Sequence, residues 1–142
     1  MSEPTATMLQ SHPDPLADLE PGLRARTVDR LMQCATVCTS CADACLAEES
    51  VAELRRCIRL DLDCADLCRT TATILARQSE TDPSVLRATL EACIVACRSC
   101  GEECRMHADM HRHCRVCAEA CELCATACDE LLRDLATPVG GT

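Results

Sequence analysis

Sixteen cysteines fall on four stretches of the chain at steps of three and four residues. The first stretch carries Cys34, Cys38, Cys41 and Cys45. The second carries Cys57, Cys64 and Cys68, with Asp61 in the place a cysteine would take. The third repeats the first as Cys93, Cys97, Cys100 and Cys104, and the fourth holds Cys114, Cys117, Cys121, Cys124 and Cys128. Alternating steps of three and four keep side chains on one face of an α-helix, the a/d seam that turns inward in a bundle. The pattern is satisfied when four thiol-bearing helices aim at one axis.

The punctuation agrees with this reading. Between residues 23 and 136 the only proline is Pro83 and the only glycine is Gly101, so little interrupts helix. Ser50-Val51-Ala52-Glu53 reads as a capping box, and Asp82 reads as a cap before a proline at the first helical position. Asp109 is the candidate cap of the last segment. The predicted helices cover about 23–48, 51–78, 83–107 and 110–136, each about 39 Å long at ~1.5 Å per residue. Short connections favour antiparallel neighbours, so the expected fold is all-α, an antiparallel up-down-up-down four-helix bundle with a Cys-lined core. Residues 1–21, with Pro4, Pro13 and Pro15 and little periodicity, read as a flexible N-terminal arm. Residues 22–137 then form the bundle domain and 138–142 a short flexible tail.

Composition explains why the thiols matter. The 142 residues include no Phe, Trp or Tyr, so the large groups that usually dominate core energetics are missing. A single buried Cys is ordinarily a small hydrophobe. A whole seam of Cys and Ala is too small to fill helices ~8–10 Å apart, a space natural bundles give to Leu and Ile. A metal-free core is therefore expected to be loose or partly wet, and metal is the natural filler.

Met1 to Leu19 shows neither the basic start nor the apolar run of a signal peptide, and no stretch reaches the roughly 20 apolar residues of a membrane span. The expectation is a cytoplasmic protein with reduced thiols rather than a disulfide scaffold. A net charge of −9, with Arg as the only strongly basic residue, offers no positive footprint to nucleic acid. No nucleophile–base pair stands out, so catalysis is not expected.

Soft thiolates select Cu(I), zinc or iron–sulfur clusters. Zinc asks for about four ligands in a tetrahedron, usually from chain that folds around it. Here the ligands lie on stiff helices as C-x3-C pairs, whose Cβ atoms are ~5–6 Å apart. That suits an ion content with two thiolates, and bridging thiolates would allow about one Cu(I) per cysteine. Sixteen thiolates and as many monovalent cations also cancel, sparing the interior an uncompensated charge. The C-x2-C pairs lack the ferredoxin run and the βαβ setting of a redox motif. The alternative is a metallothionein-like Zn/Cd buffer or detoxification protein.

Extending the seams separates two ends. Leu31, Leu75, Leu86, Leu90, Leu131 and Leu135 gather at one end as a dry plug. Cys45, Cys57, Cys104, His107, Met110, His111 and Cys114 gather at the other, with Asp61 slightly deeper. Copper is expected to enter at this second end, passing from Met106, Met110, His107, His111 and His113 to the thiolates. Asp61 needs a partner there, whether a histidine, a bound ion or water. A separate stripe, Leu60, Leu67 and Ile74, suits packing against neighbouring helices or a subunit contact.

The C-x3-C-x2-C-x3-C motif of the first and third segments, with the five-cysteine run of the fourth, resembles the bacterial copper storage proteins, and specifically their cytosolic branch. The resemblance spans residues 23–136. It implies a multinuclear Cu(I) core in a four-helix bundle, assembled as a homotetramer, with the mouth as the loading end and His107, His111 and His113 near it. The expected ligand set is thus the sixteen cysteines with Asp61, His107, His111 and His113. The expected partners are copper ions and a copper chaperone or copper-requiring enzymes, with no nucleic acid and no membrane.

Overall fold

A computed structural model describes residues 3–16, 18 and 20–136. It contains α1 (Glu3–Gln10), α2 (Leu23–Leu46), α3 (Arg55–Ala76), α4 (Pro83–Met106) and α5 (Arg112–Ala136), and no strand among the described residues. Helix α2 packs against α3 and α5, and α4 packs against the same two. The four long helices thus close an antiparallel ring around one axis, with α2 diagonal to α4, as the seams predict. None is long and apolar enough to cross a membrane.

Asp82 caps α4 as expected, accepting hydrogen bonds from the backbone N–H of Ser84 at 2.9 Å and Val85 at 3.2 Å. The other two start signals do not act as caps. Ser50 makes no side-chain cap bond. A 3-10 turn, Val51–Leu54, occupies the junction, with Glu53 N–H donating to the Ser50 carbonyl at 2.9 Å. Backbone i→i+3 bonds satisfy the groups a capping box would have served, and the α-helix begins only at Arg55. Asp109 lies inside a tight turn closed by Met110 N–H and His111 N–H on the His107 carbonyl, at 3.2 and 3.0 Å. That turn places it short of the helix start at Arg112.

The N-terminal segment holds more structure than its sequence suggested. Helix α1 rests on α2, where Thr5 Oγ1 donates to Asp29 at 2.8 Å. Gln78 Nε2 donates to the Leu9 carbonyl at 3.0 Å, and His12 Nε2 lies 2.9 Å from Ser79 Oγ. Arg24, buried beneath this segment, pairs with Asp18 at 3.2 Å. Pro4 sits in the first turn, where a proline costs the helix no hydrogen bond. The boundary at 137 and the tail 138–142 lie outside the described residues.

The core divides as the extended seams indicated. Leu31, Leu75, Leu90 and Leu131 are fully buried at one end, with Leu86 beside them and Leu135 packed against the same cluster. The thiol section is not loose. Its neighbouring sulfur atoms lie 3.6–4.0 Å apart. The reason is a second repeat beside the thiol seams, of small buried residues seven apart: Ala35 and Ala42, Ala65 and Ala72, Ala118 and Ala125. Small side chains let helix backbones approach until the short cysteines meet. Gly101 is the tightest case, since a Cβ there would lie 3.3 Å from Cys121 Cβ. Leu60 and Ile74 pack against the core from outside it, as one reading of that stripe proposed.

Candidate metal centre

All sixteen cysteines are free thiols with buried side chains. Their helices fix where each sulfur stands. Cys68 Sγ on α3 lies 3.8 Å from Cys93 and 3.7 Å from Cys97 on α4, and 3.9 Å from Cys124 on α5. Cys34 on α2 lies 4.0 Å from Cys64 and 3.9 Å from Cys121. Cys38 lies 3.7 Å from Cys121 and 3.6 Å from Cys117. Nearer the mouth, Cys57 and Cys104 are 3.6 Å apart and Cys41 and Cys114 are 4.0 Å apart.

These contacts assemble into sets of four ligand atoms, each set lying within 4.8 Å. Cys34 joins Cys68, Cys97 and Cys124 in one set and Cys38, Cys64 and Cys121 in another. Cys38 and Cys121 recur with Cys100 and Cys117. Cys41 and Cys57 join Cys45 and Cys114 in one set, and Asp61 and Cys104 in the next. A sulfur that belongs to two sets is placed to bridge two ions. The centre is a continuous ligand column, not a row of separate four-ligand sites.

Asp61 is fully buried in this column. Its Oδ1 accepts from the thiols of Cys100 at 3.0 Å, Cys117 at 3.1 Å and Cys104 at 3.4 Å. Cys57 Sγ lies 3.9 Å from its Oδ2. Its hydrogen-bond donors are therefore thiols, not the histidine that the sequence offered as one partner. Burial raises the Asp61 carboxyl above its ordinary value, and the thiol donors pull it partly back. The folded protein then holds this proton more tightly than the unfolded chain does. Its contribution to metal-free stability is fully present below the ordinary carboxylate value and is lost as pH rises through the raised folded value. Asp61→Asn cannot ionise and lacks this pH dependence, so in urea melts the wild type is expected to lose stability relative to the variant as pH rises above the ordinary carboxylate range. Parallel curves would refute the assignment.

At the mouth the imidazoles divide by partner. His113 Nδ1 stands 3.5 Å from Cys41, 3.6 Å from Cys114 and 4.0 Å from Cys45, while its Nε2 meets Glu48 at 2.9 Å. With Nε2–H held by the carboxylate, the neutral ring directs its Nδ1 lone pair at the thiols. Burial opposes charge on His113, but contacts with Cys41 and Glu48 outweigh it and hold the ring above its usual value. His111 Nδ1 pairs with the same Glu48 at 3.0 Å, its ring stacked on His113 with centroids 5.3 Å apart. His107 Nε2 meets Glu103 at 2.8 Å, and Glu103 also meets Arg56 at 3.3 Å. Met106 and Met110 are each 75% exposed.

The structure thus brings His113 to the thiols and ties His107 and His111 to carboxylates that sequence reasoning missed. Glu103 carried a signal, standing four residues before His107 on one helix face. Glu48 carried none, because it meets the two histidines only through the fold.

Residues 23–133 match the sequence model of the copper storage proteins. The chain belongs to the copper storage protein family. Among solved structures, it resembles the copper storage protein Ccsp of Streptomyces lividans loaded with 10 copper equivalents, at 48% identity and a TM-score of 0.89. That match covers 92% of this chain and 98% of the other. A structure described as a cytosolic copper storage protein from Streptomyces lividans with five coppers matches at 54% identity and a TM-score of 0.77. It covers 78% of this chain and 92% of that one. Among curated proteins, none matches. As a member of the copper storage family, this chain has a column whose soft sulfur donors suit the family's cargo.

Proposed function

We propose that this protein stores copper in the cytosol as many Cu(I) ions, held by its sixteen cysteine thiolates inside the bundle. One observation carries the reading: neighbouring ligand sets share members, as Cys34, Cys38, Cys41, Cys57 and Cys121 each belong to two. Shared sulfurs suit monovalent ions bridged through thiolates, whereas zinc sites would want closed sets of four. Asp61 serves the layer between Cys57 and Cys117, and His113 is the imidazole that adds nitrogen to the outermost thiols. His107 and His111 guide copper at the mouth, their rings held by Glu103 and Glu48. The role is binding without turnover. A copper chaperone or copper-requiring enzymes are its exchange partners. We take the assembly to be a homotetramer, a reading that exposed Leu62, Val95 and Leu123 on the bundle's outer faces support.

Anaerobic titration of reduced protein with Cu(I) against a competing chelator tests this. The expected plateau is about one ion per cysteine, against about one per four for zinc. Loading must displace thiol protons, and burial raises the Cys45 and Cys114 thiols in particular, so uptake releases acid. A plateau at one or two ions would end the storage reading.

A further inference from the structure

Cys41 is the one cysteine with any solvent exposure, 2% against 0% for the others. It forms part of the floor of a shallow groove of about 440 Å³ on the side of the bundle, between α2 and α5. Val37 and Ala44 line the α2 side, and Arg112, His113 and Val116 line the α5 side. We propose that this groove docks a low-mass anionic thiol carrying Cu(I), and that Cys41 is the first sulfur to take the ion from it. The inference rests on the storage reading and adds the form in which the cargo arrives.

The chemistry of the groove argues for this occupant. Where thiols are reduced, Cu(I) travels on soft sulfur ligands. A Cu(I) ion between two thiolates that also carry carboxylates is an anionic complex, which a chain of net charge −9 repels as a whole. Arg112 offsets that repulsion locally. It is exposed, stands in the wall of the groove and makes no ion pair among the described residues, so its guanidinium is available to a carboxylate. Val37, Ala44 and the half-exposed Val116 give the carrier's carbon skeleton an apolar wall.

The transfer balances as a ligand exchange. One Cu–S bond to the carrier breaks as one forms to Cys41 Sγ, and copper stays Cu(I) throughout. The Cys41 thiol proton goes to the departing carrier thiolate, which leaves as a thiol. Cys114 Sγ, 4.0 Å away, repeats the exchange and frees the second carrier. The ion then sits among Cys41, Cys45, Cys57 and Cys114, already inside the ligand column.

The test compares loading rates, followed by thiolate-to-copper absorption, from two sources: preformed Cu(I)–glutathione, and Cu(I) supplied in acetonitrile. Val116→Trp fills the groove without adding charge and Arg112→Glu reverses its charge, both at exposed positions. Each is expected to slow uptake from the glutathione complex by roughly tenfold, leaving the acetonitrile rate and the final capacity unchanged. Glu130→Arg, exposed on α5 far from the groove, should alter neither rate. Wild-type rates from Cu(I)–glutathione in both groove variants would overturn the proposal. So would equal slowing from the two sources. Wild-type protein that takes up no copper from either source would instead sink the storage reading.

Discussion

Reduced, metal-free protein is expected to gain tens of degrees in melting temperature when loaded with Cu(I). Metal-free, the bundle has an uneven core. Leucines fill one end, while the rest depends on short thiols held together by Ala and Gly. A ligand that binds only the folded state at a thousandfold excess over its dissociation constant contributes about 4 kcal/mol. In a chain of this size each 1 kcal/mol moves the melting temperature by about 2–4 °C. A few ions are enough for the predicted shift. Unfolded cysteines also bind copper, which trims the gain, but only the bundle presents them in preset groups. Calorimetry at stepped copper loadings checks the prediction. A total shift of only a few degrees would mean that the metal does not replace the missing hydrocarbon.

The second large effect concerns the leucine end. Leu90→Ala is expected to cost the metal-free protein about 2–5 kcal/mol, since Leu90 is fully buried beside Leu31, Leu75 and Leu131. That corresponds to a fall of about 5–20 °C in melting temperature. Copper capacity should not change, because no ligand is lost, and loading should recover most of the stability. The experiment separates the part of the molecule that folds it from the part that holds cargo. Loss of capacity in step with stability would show that the two are not separable. A fall well under 2 kcal/mol would show that the leucines are not the anchor.

The thiol seams were legible because the alternation of three and four forces one face, whatever the neighbours do. The two ends of the bundle followed from continuing those steps into Leu31 and Leu90 one way and His107 and Cys114 the other. What stayed hidden depended on contacts between segments. Ala35, Ala42, Ala65, Ala72, Ala118 and Ala125 look like ordinary helix formers, and their spacer role shows only when backbones close on one another. His113 lies off the extended seam, yet its ring turns back onto Cys41, Cys45 and Cys114. Asp61 reads as a gap in the ligand row until three thiols are seen donating to it. Ser50 carries the letters of a cap, but a 3-10 turn satisfies the backbone first. Helix α1 is too short and too weakly patterned to declare itself before Asp29 and Gln78 give it a place to dock.

The leucine plug gives the column a direction. With hydrocarbon sealing one end, the ligand column is a blind alley rather than a tunnel: the sulfurs of Cys93, Cys124 and Cys128, nearest the leucines, reach solvent only past the thiols that lie above them.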